Sequence, residues 1–185
     1  MFVPSKWTIV LGLTASNVGG MTTSAAEAAT QIPVRLDLDV HAPAFARAMS
    51  HLDHTATKEL DRVNVDPRLR ELVRVRASQL NGCAYCIDMH TKDARAIGET
   101  EQRLYGLAAW QETPYFTARE RAALAFTEAV TLVADTHVPA SAYDAVAAAF
   151  GPDEVAALLG LIVTINAWNA LSVASRSWVP GSYQP

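Results

Sequence analysis

The chain has 185 residues, half of them apolar, with 15 Lys and Arg against 19 Asp and Glu and a formal charge of −4. That length supports one domain with a sizeable core, and the mildly acidic balance supplies no basic field, which argues against nucleic acid as a partner. Only two cysteines occur, too few to staple a secreted scaffold, and no apolar run approaches the roughly 20 residues that would make a membrane a partner.

Residues 1–34 stand apart. A short apolar run from Trp7 to Leu13 follows Lys6, and small residues gather around Ala26 and Ala28, a loose imitation of a secretory signal that Gly12 and Thr14 interrupt. The segment is expected to be a mobile tail, a mis-assigned start ahead of Met21, or a signal. A cytoplasmic location is expected, with export as the alternative. One domain is expected over residues 35–180, followed by a C-terminal tail over 181–185.

From Pro43 onward the apolar spacing is helical, and no stretch alternates with period two between turn residues. The fold class is therefore all-α, a single-domain bundle of six or seven helices. The first spans 43–62, where Phe45, Met49, Leu52, Ala56 and Leu60 recur at steps of three and four behind a first-turn proline. Asp66 and Pro67 then form an N-cap and N1 pair, Leu69, Leu72, Val73 and Leu80 mark one face, and Asn81-Gly82 stops the helix. On this helix Arg68, Arg70, Arg74 and Arg76 are expected on a solvated outer face.

The next helix opens at the cysteines and ends at Gly98, and a short one follows Thr100 over 101–110. Thr117 to Glu120 reads "TARE", a capping box that starts a helix reaching about Ala134. Pro139 and Gly151 bracket another. The last runs from Pro152 to about Trp178, with Val155, Leu158, Leu159, Ile162, Ile165 and Val173 on one stripe. Asn166 and Asn169 lie on or beside that stripe, where they are expected to satisfy helix ends within the core, the alternative being hydrogen bonds across an interface.

Both cysteines fall in "ELVRVRASQLNGCAYCIDMH", residues 71–90. Cys83 and Cys86 are related by i,i+3 and Cys86 and His90 by i,i+4, so one helix face presents all three. Helical i,i+3 Cα atoms lie about 5 Å apart, inside the disulfide range of roughly 4.4–6.8 Å. The pair can thus cycle between dithiol and disulfide with little backbone movement. A helix start also favours a thiolate, bringing a cysteine pKa from about 8.5 into the range of roughly 3.5–7.5. His90 can accept the thiol proton, and Glu71 can fix the histidine tautomer if the short Asn81-Gly82 turn returns it to the site. The dipole and expected exposure favour Cys83 as the more reactive thiol, whereas the histidine spacing favours Cys86.

Plainer readings compete. Cysteines serve as small buried hydrophobes, and a C-x-x-C with a histidine supplies three zinc ligands. No second C-x-x-C or H-x-x-x-H is present to close a structural zinc site, so no metal is expected. His41, His51, His54 and His137 have no comparable context and are read as structural.

The stretch "LRELVRVRASQLNGCAYCIDMHTKDARAIGE" closely resembles the alkylhydroperoxidase D-like (AhpD-like) branch of the carboxymuconolactone decarboxylase superfamily. Its pattern of a glutamate, eleven residues, C-x-x-C, three residues and a histidine is met by Glu71, Cys83, Cys86 and His90. The resemblance continues through "ERAALAFTEAVT" and "INAWNALSVA" and covers roughly residues 35–180. It implies an all-helical homo-oligomer, a trimer or hexamer, that reduces hydroperoxides through its cysteine pair with no metal or haem cofactor. The residue matching Cys86 attacks the peroxide, and the one matching Cys83 condenses with the sulfenic acid to form the disulfide. A dihydrolipoyl or thioredoxin-like dithiol protein restores the pair, and Cys83, expected to be exposed, is where it would engage.

In the best-known members a further histidine precedes the second cysteine; here that position is Tyr85, a phenol of pKa about 10 that donates a hydrogen bond near pH 7 but does not take a proton. The decarboxylase branch lacks the cysteine pair, so the resemblance implies redox chemistry and not lactone decarboxylation. The expected function is a thiol-dependent peroxidase; the alternative is a non-enzymatic redox sensor or thiol-buffering oligomer.

Overall fold

A computed structural model describes Thr30 and residues 32–185. Among them are nine α-helices, one 3-10 segment and no strand. The helices are α1 (Leu38–His41), α2 (Pro43–Arg62), α3 (Pro67–Asn81), α4 (Ala84–Ala96), α5 (Glu101–Gly106), α6 (Ala118–Thr131), α7 (Val133–Thr136), α8 (Ala140–Ala149) and α9 (Pro152–Ser175), with the 3-10 turn at Leu107–Glu112. Apart from the single-turn α1 and α7, seven helices remain. Sequence periodicity does not register α1, because four residues carry no repeat; Asp37 holds it by accepting from the amides of Asp39 and Val40.

The start signals act as expected. The Asp66 carboxylate caps α3 at the Arg68 amide, and the Thr117–Glu120 capping box closes reciprocally. α6 stops at Thr131 and not at Ala134, since Leu132 leaves helical geometry before the extra turn of α7. α9 ends at Ser175, three residues short of Trp178, with Arg176 in the left-handed region at φ 53°.

α3 is the central helix. Its Leu69 and Val73 join Leu60, Phe126, Val146, Leu158, Leu161 and Ile162 in the largest apolar cluster. Its Leu72 and Val75 face Ala94, Leu104, Leu107, Trp110 and Leu124. Its Ala77 meets Cys83, Cys86 and Ile165. A helix covered on so many sides has little outer face left, which corrects the arginine expectation: Arg68 is solvated, but Arg70 donates to the Val65 carbonyl and pairs with Asp61, Arg74 pairs with Glu71, and Arg76 pairs with Glu128.

Two stripes also need correction. Phe45 and Leu52 of α2 and Leu159 and Val173 of α9 are exposed, while Met49, Ala56, Leu60, Val155, Leu158, Ile162 and Ile165 are buried. Steps of three and four select a face about 100° wide, and the core contact covers only part of it. α9 is, by length and composition, apolar enough to cross a membrane, contrary to the expectation of no such run; its apolarity serves the core, where Leu158, Leu161 and Ile162 are fully enclosed. Leu158→Ala is expected to lower unfolding free energy by about 2–5 kcal/mol in denaturant titration, through lost transfer energy and an unfilled cavity.

Residues 33–185 form one unit, so the final residues are not a free tail. The Gly181 amide donates to Asp88, Lys92 donates to the Tyr183 carbonyl, and the Tyr183 hydroxyl donates to Asp93. The expectations for residues 1–34 lie, except at Thr30 and 32–34, outside the described residues.

Candidate active site

The site is built at the corner between α3 and α4. Gly82 closes α3 in the left-handed conformation at φ 66°, a backbone geometry that suits glycine. The Cys83 amide returns to the Ser78 carbonyl at 3.0 Å, so α4 folds back along α3. Asn81 fastens the corner to α9: its side-chain amide donates to Asn166 Oδ1 at 2.7 Å and Asn169 Oδ1 at 3.0 Å, and Asn169 donates to Ser78 Oγ. The two α9 asparagines thus satisfy side chains of α3, where helix-end groups were expected.

Cys83 is the N-cap of α4, and its Sγ accepts the Cys86 amide at 3.3 Å. Cys86 lies in the first turn, and the two form a disulfide with Cα atoms 5.4 Å apart. Cys83 is 0% exposed against Ala77 and Ile165, which corrects the expectation of an exposed thiol. The reason is the tight turn, which tucks the N-cap residue between α3 and α9. Cys86, 4% exposed, is the sulfur that lines a cavity.

That cavity, about 300 Å³, lies between α2, α4 and α9, with Cys86, His90, Tyr85, Trp168 and Trp178 on its walls. Tyr85 and Trp178 have ring centroids 6.1 Å apart, and Trp168 meets Trp178 edge-on at 5.5 Å. Tyr85 is pushed above the usual phenol range, first by burial and then by Asp88 and Asp93, so its hydroxyl keeps its proton near neutrality.

The sequence places Glu71 on α3 and His90 on α4, and the corner brings them together: His90 Nδ1 lies 2.9 Å from Glu71 Oε2, both groups buried. Glu71 Oε1 accepts from Arg74. Burial alone would raise the Glu71 carboxyl, but the His90 hydrogen bond and the Arg74 charge outweigh it and hold the group below its ordinary value. An ionised Glu71 can only accept, so neutral His90 carries its proton on Nδ1 and leaves Nε2 with a free lone pair. Glu71 thus meets His90, Cys83 is bonded to Cys86, and Cys86 and His90 line the same cavity.

Asp93 is an addition that the i,i+3 step from His90 could have flagged; its Oδ2 lies 3.9 Å from His90 Nδ1. Its other oxygen accepts the Tyr183 hydroxyl at 2.7 Å, a bond that with burial pushes the Tyr183 phenol up to about 12. Tyr183→Phe is expected to lower stability by about 1 kcal/mol at pH 7, read from the thermal midpoint. Because the folded value is the raised one, this contribution is complete below about pH 10, the ordinary phenol value, and lost as pH rises through about 12.

Glu71, His90 and Asp93 offer ligand atoms within 4.8 Å of one another and form a group that could hold a metal ion. Both Glu71 oxygens and Asp93 Oδ1 already accept hydrogen bonds, from Arg74, His90 and Tyr183. The zinc set of both cysteines with His90 is not assembled, since the two sulfurs bond to each other. His41, His51, His54 and His137 are exposed and line no part of the cavity.

Comparison with known proteins finds the profile of the carboxymuconolactone decarboxylase family matching residues 43–129. The uncharacterized protein YdfG of Bacillus subtilis is 44% identical over 111 residues, which cover 60% of this chain and 76% of that protein. A solved structure from Agrobacterium tumefaciens, of unknown function and provisionally named antioxidant defence protein AhpD, superposes with a TM-score of 0.75 at 33% identity, over 80% of this chain and 99% of that one. The debrominase Bmp8, solved with 2,3,4-tribromopyrrole, shares the fold at a TM-score of 0.63 and 19% identity, over 76% of this chain and 73% of that one.

Proposed function

The chain belongs to the AhpD-like branch of the carboxymuconolactone decarboxylase superfamily, and from that premise we propose that it is a thiol-dependent peroxidase. The observation that carries the reading is Cys86, bonded to Cys83 and sharing a cavity wall with a histidine whose far nitrogen is held by an ionised glutamate.

In the reduced protein His90 Nε2 takes the Cys86 proton. The thiolate attacks the terminal oxygen of the hydroperoxide, the O–O bond breaks, and the leaving alkoxide takes the proton from His90. Cys86 is now a sulfenic acid, and the Cys83 sulfur attacks it, forming the disulfide and releasing water. An external dithiol then attacks Cys86, the sulfur that meets the cavity, and expels Cys83. That thiolate is a good leaving group, because an N-cap sulfur accepts an amide at the positive end of α4. A second attack within the reductant returns Cys86 to the thiol and leaves the reductant oxidised.

A cytoplasmic location would supply such a dithiol, a dihydrolipoyl or thioredoxin-like protein. The proposal includes assembly as a trimer or hexamer, for which exposed Phe45, Leu52, Leu159 and Val173 offer apolar surface.

The test is steady-state consumption of cumene hydroperoxide and hydrogen peroxide with dihydrolipoamide. Many turnovers per chain support the peroxidase. Consumption of a single equivalent followed by silence identifies a redox sensor or thiol buffer, the reading that Tyr85 in place of a proton-accepting histidine would favour.

A further inference from the structure

The cavity in front of Cys86 carries a charge pattern that the peroxidase cycle does not use. Asp39 of α1 and Asp53 of α2 line it together with Ser50, Met89, Trp168 and Trp178. No lysine or arginine stands among its lining residues, and neither aspartate side chain has a hydrogen-bond or ion-pair partner among the described residues. The nearby base Lys92 is spent on Asp88 and the Tyr183 carbonyl. Arg74 is spent on Glu71 and Thr57. The approach to the sulfur is therefore aromatic on one side and negative on the other, with His90 the one lining residue that can carry positive charge.

We propose that this cavity selects its occupant by charge: it takes hydroperoxides whose organic part is aromatic or bulky and either neutral or cationic, and it turns away those that carry a carboxylate. Two physical terms act in the same direction. The half-buried Asp53 and the exposed Asp39 repel a second carboxylate brought to the cavity, Asp53 the more strongly because water screens it less. The faces of tryptophan and tyrosine attract a cation and accept an apolar ring, but offer nothing to an anion. Buried apolar contact with Trp168, Trp178 and Met89 also favours a bulky group over hydrogen peroxide, which has no apolar surface to bury.

That the ligand is a hydroperoxide rests on the peroxidase reading above; the charge preference does not. The experiment therefore has two arms. In the first, the full chain turns over cumene hydroperoxide, its para-carboxylate and its para-trimethylammonium derivative, with dithiothreitol as an uncharged reductant. The carboxylate is expected to show kcat/KM at least about tenfold below the neutral compound at low ionic strength, and the trimethylammonium compound to equal or exceed it. Salt at 500 mM should narrow the gap, and Asp39→Asn with Asp53→Asn should move the carboxylate-to-neutral ratio toward one. Equal values for all three compounds, or a preference for the carboxylate, would overturn the inference.

The second arm needs no turnover. Quenching of tryptophan fluorescence by benzyltrimethylammonium and by benzoate reports occupancy beside Trp168 and Trp178, and the cation is expected to bind about tenfold tighter than the anion. Benzoate binding as tightly as the cation would sink the proposal even in an active enzyme. Should none of the peroxides be consumed while the cation still binds tighter, the peroxidase reading fails and the charge selection stands.

Discussion

Replacing Cys86 by serine is expected to abolish steady-state peroxide consumption, with hydrogen peroxide and cumene hydroperoxide alike. The nucleophile is a thiolate, and a serine hydroxyl at the same place has no comparable ionised form near neutral pH. Cys83 cannot substitute for it, because its sulfur is fully enclosed between α3 and α9. Cys83→Ser behaves differently: it retains the attacking thiol and loses the partner that resolves the sulfenic acid. With no thiol added, one equivalent of peroxide is expected to disappear, leaving a sulfenic acid on Cys86. Full activity in the Cys86→Ser protein would contradict the assignment, as would a Cys83→Ser protein that leaves the first equivalent of peroxide intact.

His90→Ala carries the next largest expected loss, about 10²- to 10⁴-fold in kcat/KM, the usual contribution of a positioned general base. Glu71→Gln should cost less, since the amide oxygen can still accept from Nδ1 while the charge that stabilises the imidazolium is gone. The pH dependence follows from the sign of the Glu71 shift. Its folded-state value is lowered, so its contribution to stability is complete above the ordinary carboxylate range and lost as pH falls through the lowered value. Acid unfolding followed by circular dichroism should accordingly show a shallower fall for Glu71→Gln than for the natural chain. An identical acid limb in the two proteins would mean that the Arg74–Glu71–His90 chain is not coupled to folding.

Much of this site was legible in one stretch of sequence because local geometry builds it. Steps of three and four put Cys83, Cys86 and His90 on one helix face, and the Asn81-Gly82 stop required the flanking helices to be neighbours. That Glu71 meets His90 depended on the angle between α3 and α4, which spacing does not encode. What escaped entirely came from far along the chain: Trp168, Trp178 and Tyr183 stand about 80 or more residues from the cysteines, and only packing delivers them.

Where the structure departs from the periodicity, tertiary packing is the cause. Arginines at steps of two and four on α3 read as a solvated face, yet α3 is enclosed on several sides and its guanidinium groups are accommodated by Glu71, Glu128 and Asp61. Phe45 and Leu159 read as core by period alone, yet both are exposed. Cys83 was expected in solvent because helix starts are commonly exposed, and the left-handed turn at Gly82 buries it instead. In each case periodicity identified the helix and the tertiary contact decided the face.

Whether peroxide oxidises the Cys86 sulfur is read most directly by mass spectrometry of reduced Cys83→Ser protein treated with one equivalent of cumene hydroperoxide and then dimedone, which traps sulfenic acids. One dimedone adduct, located on Cys86, is expected together with one equivalent of cumyl alcohol. Unmodified Cys86 with the peroxide intact, while the Cys86→Ser protein gains an adduct on Cys83, would contradict the assignment.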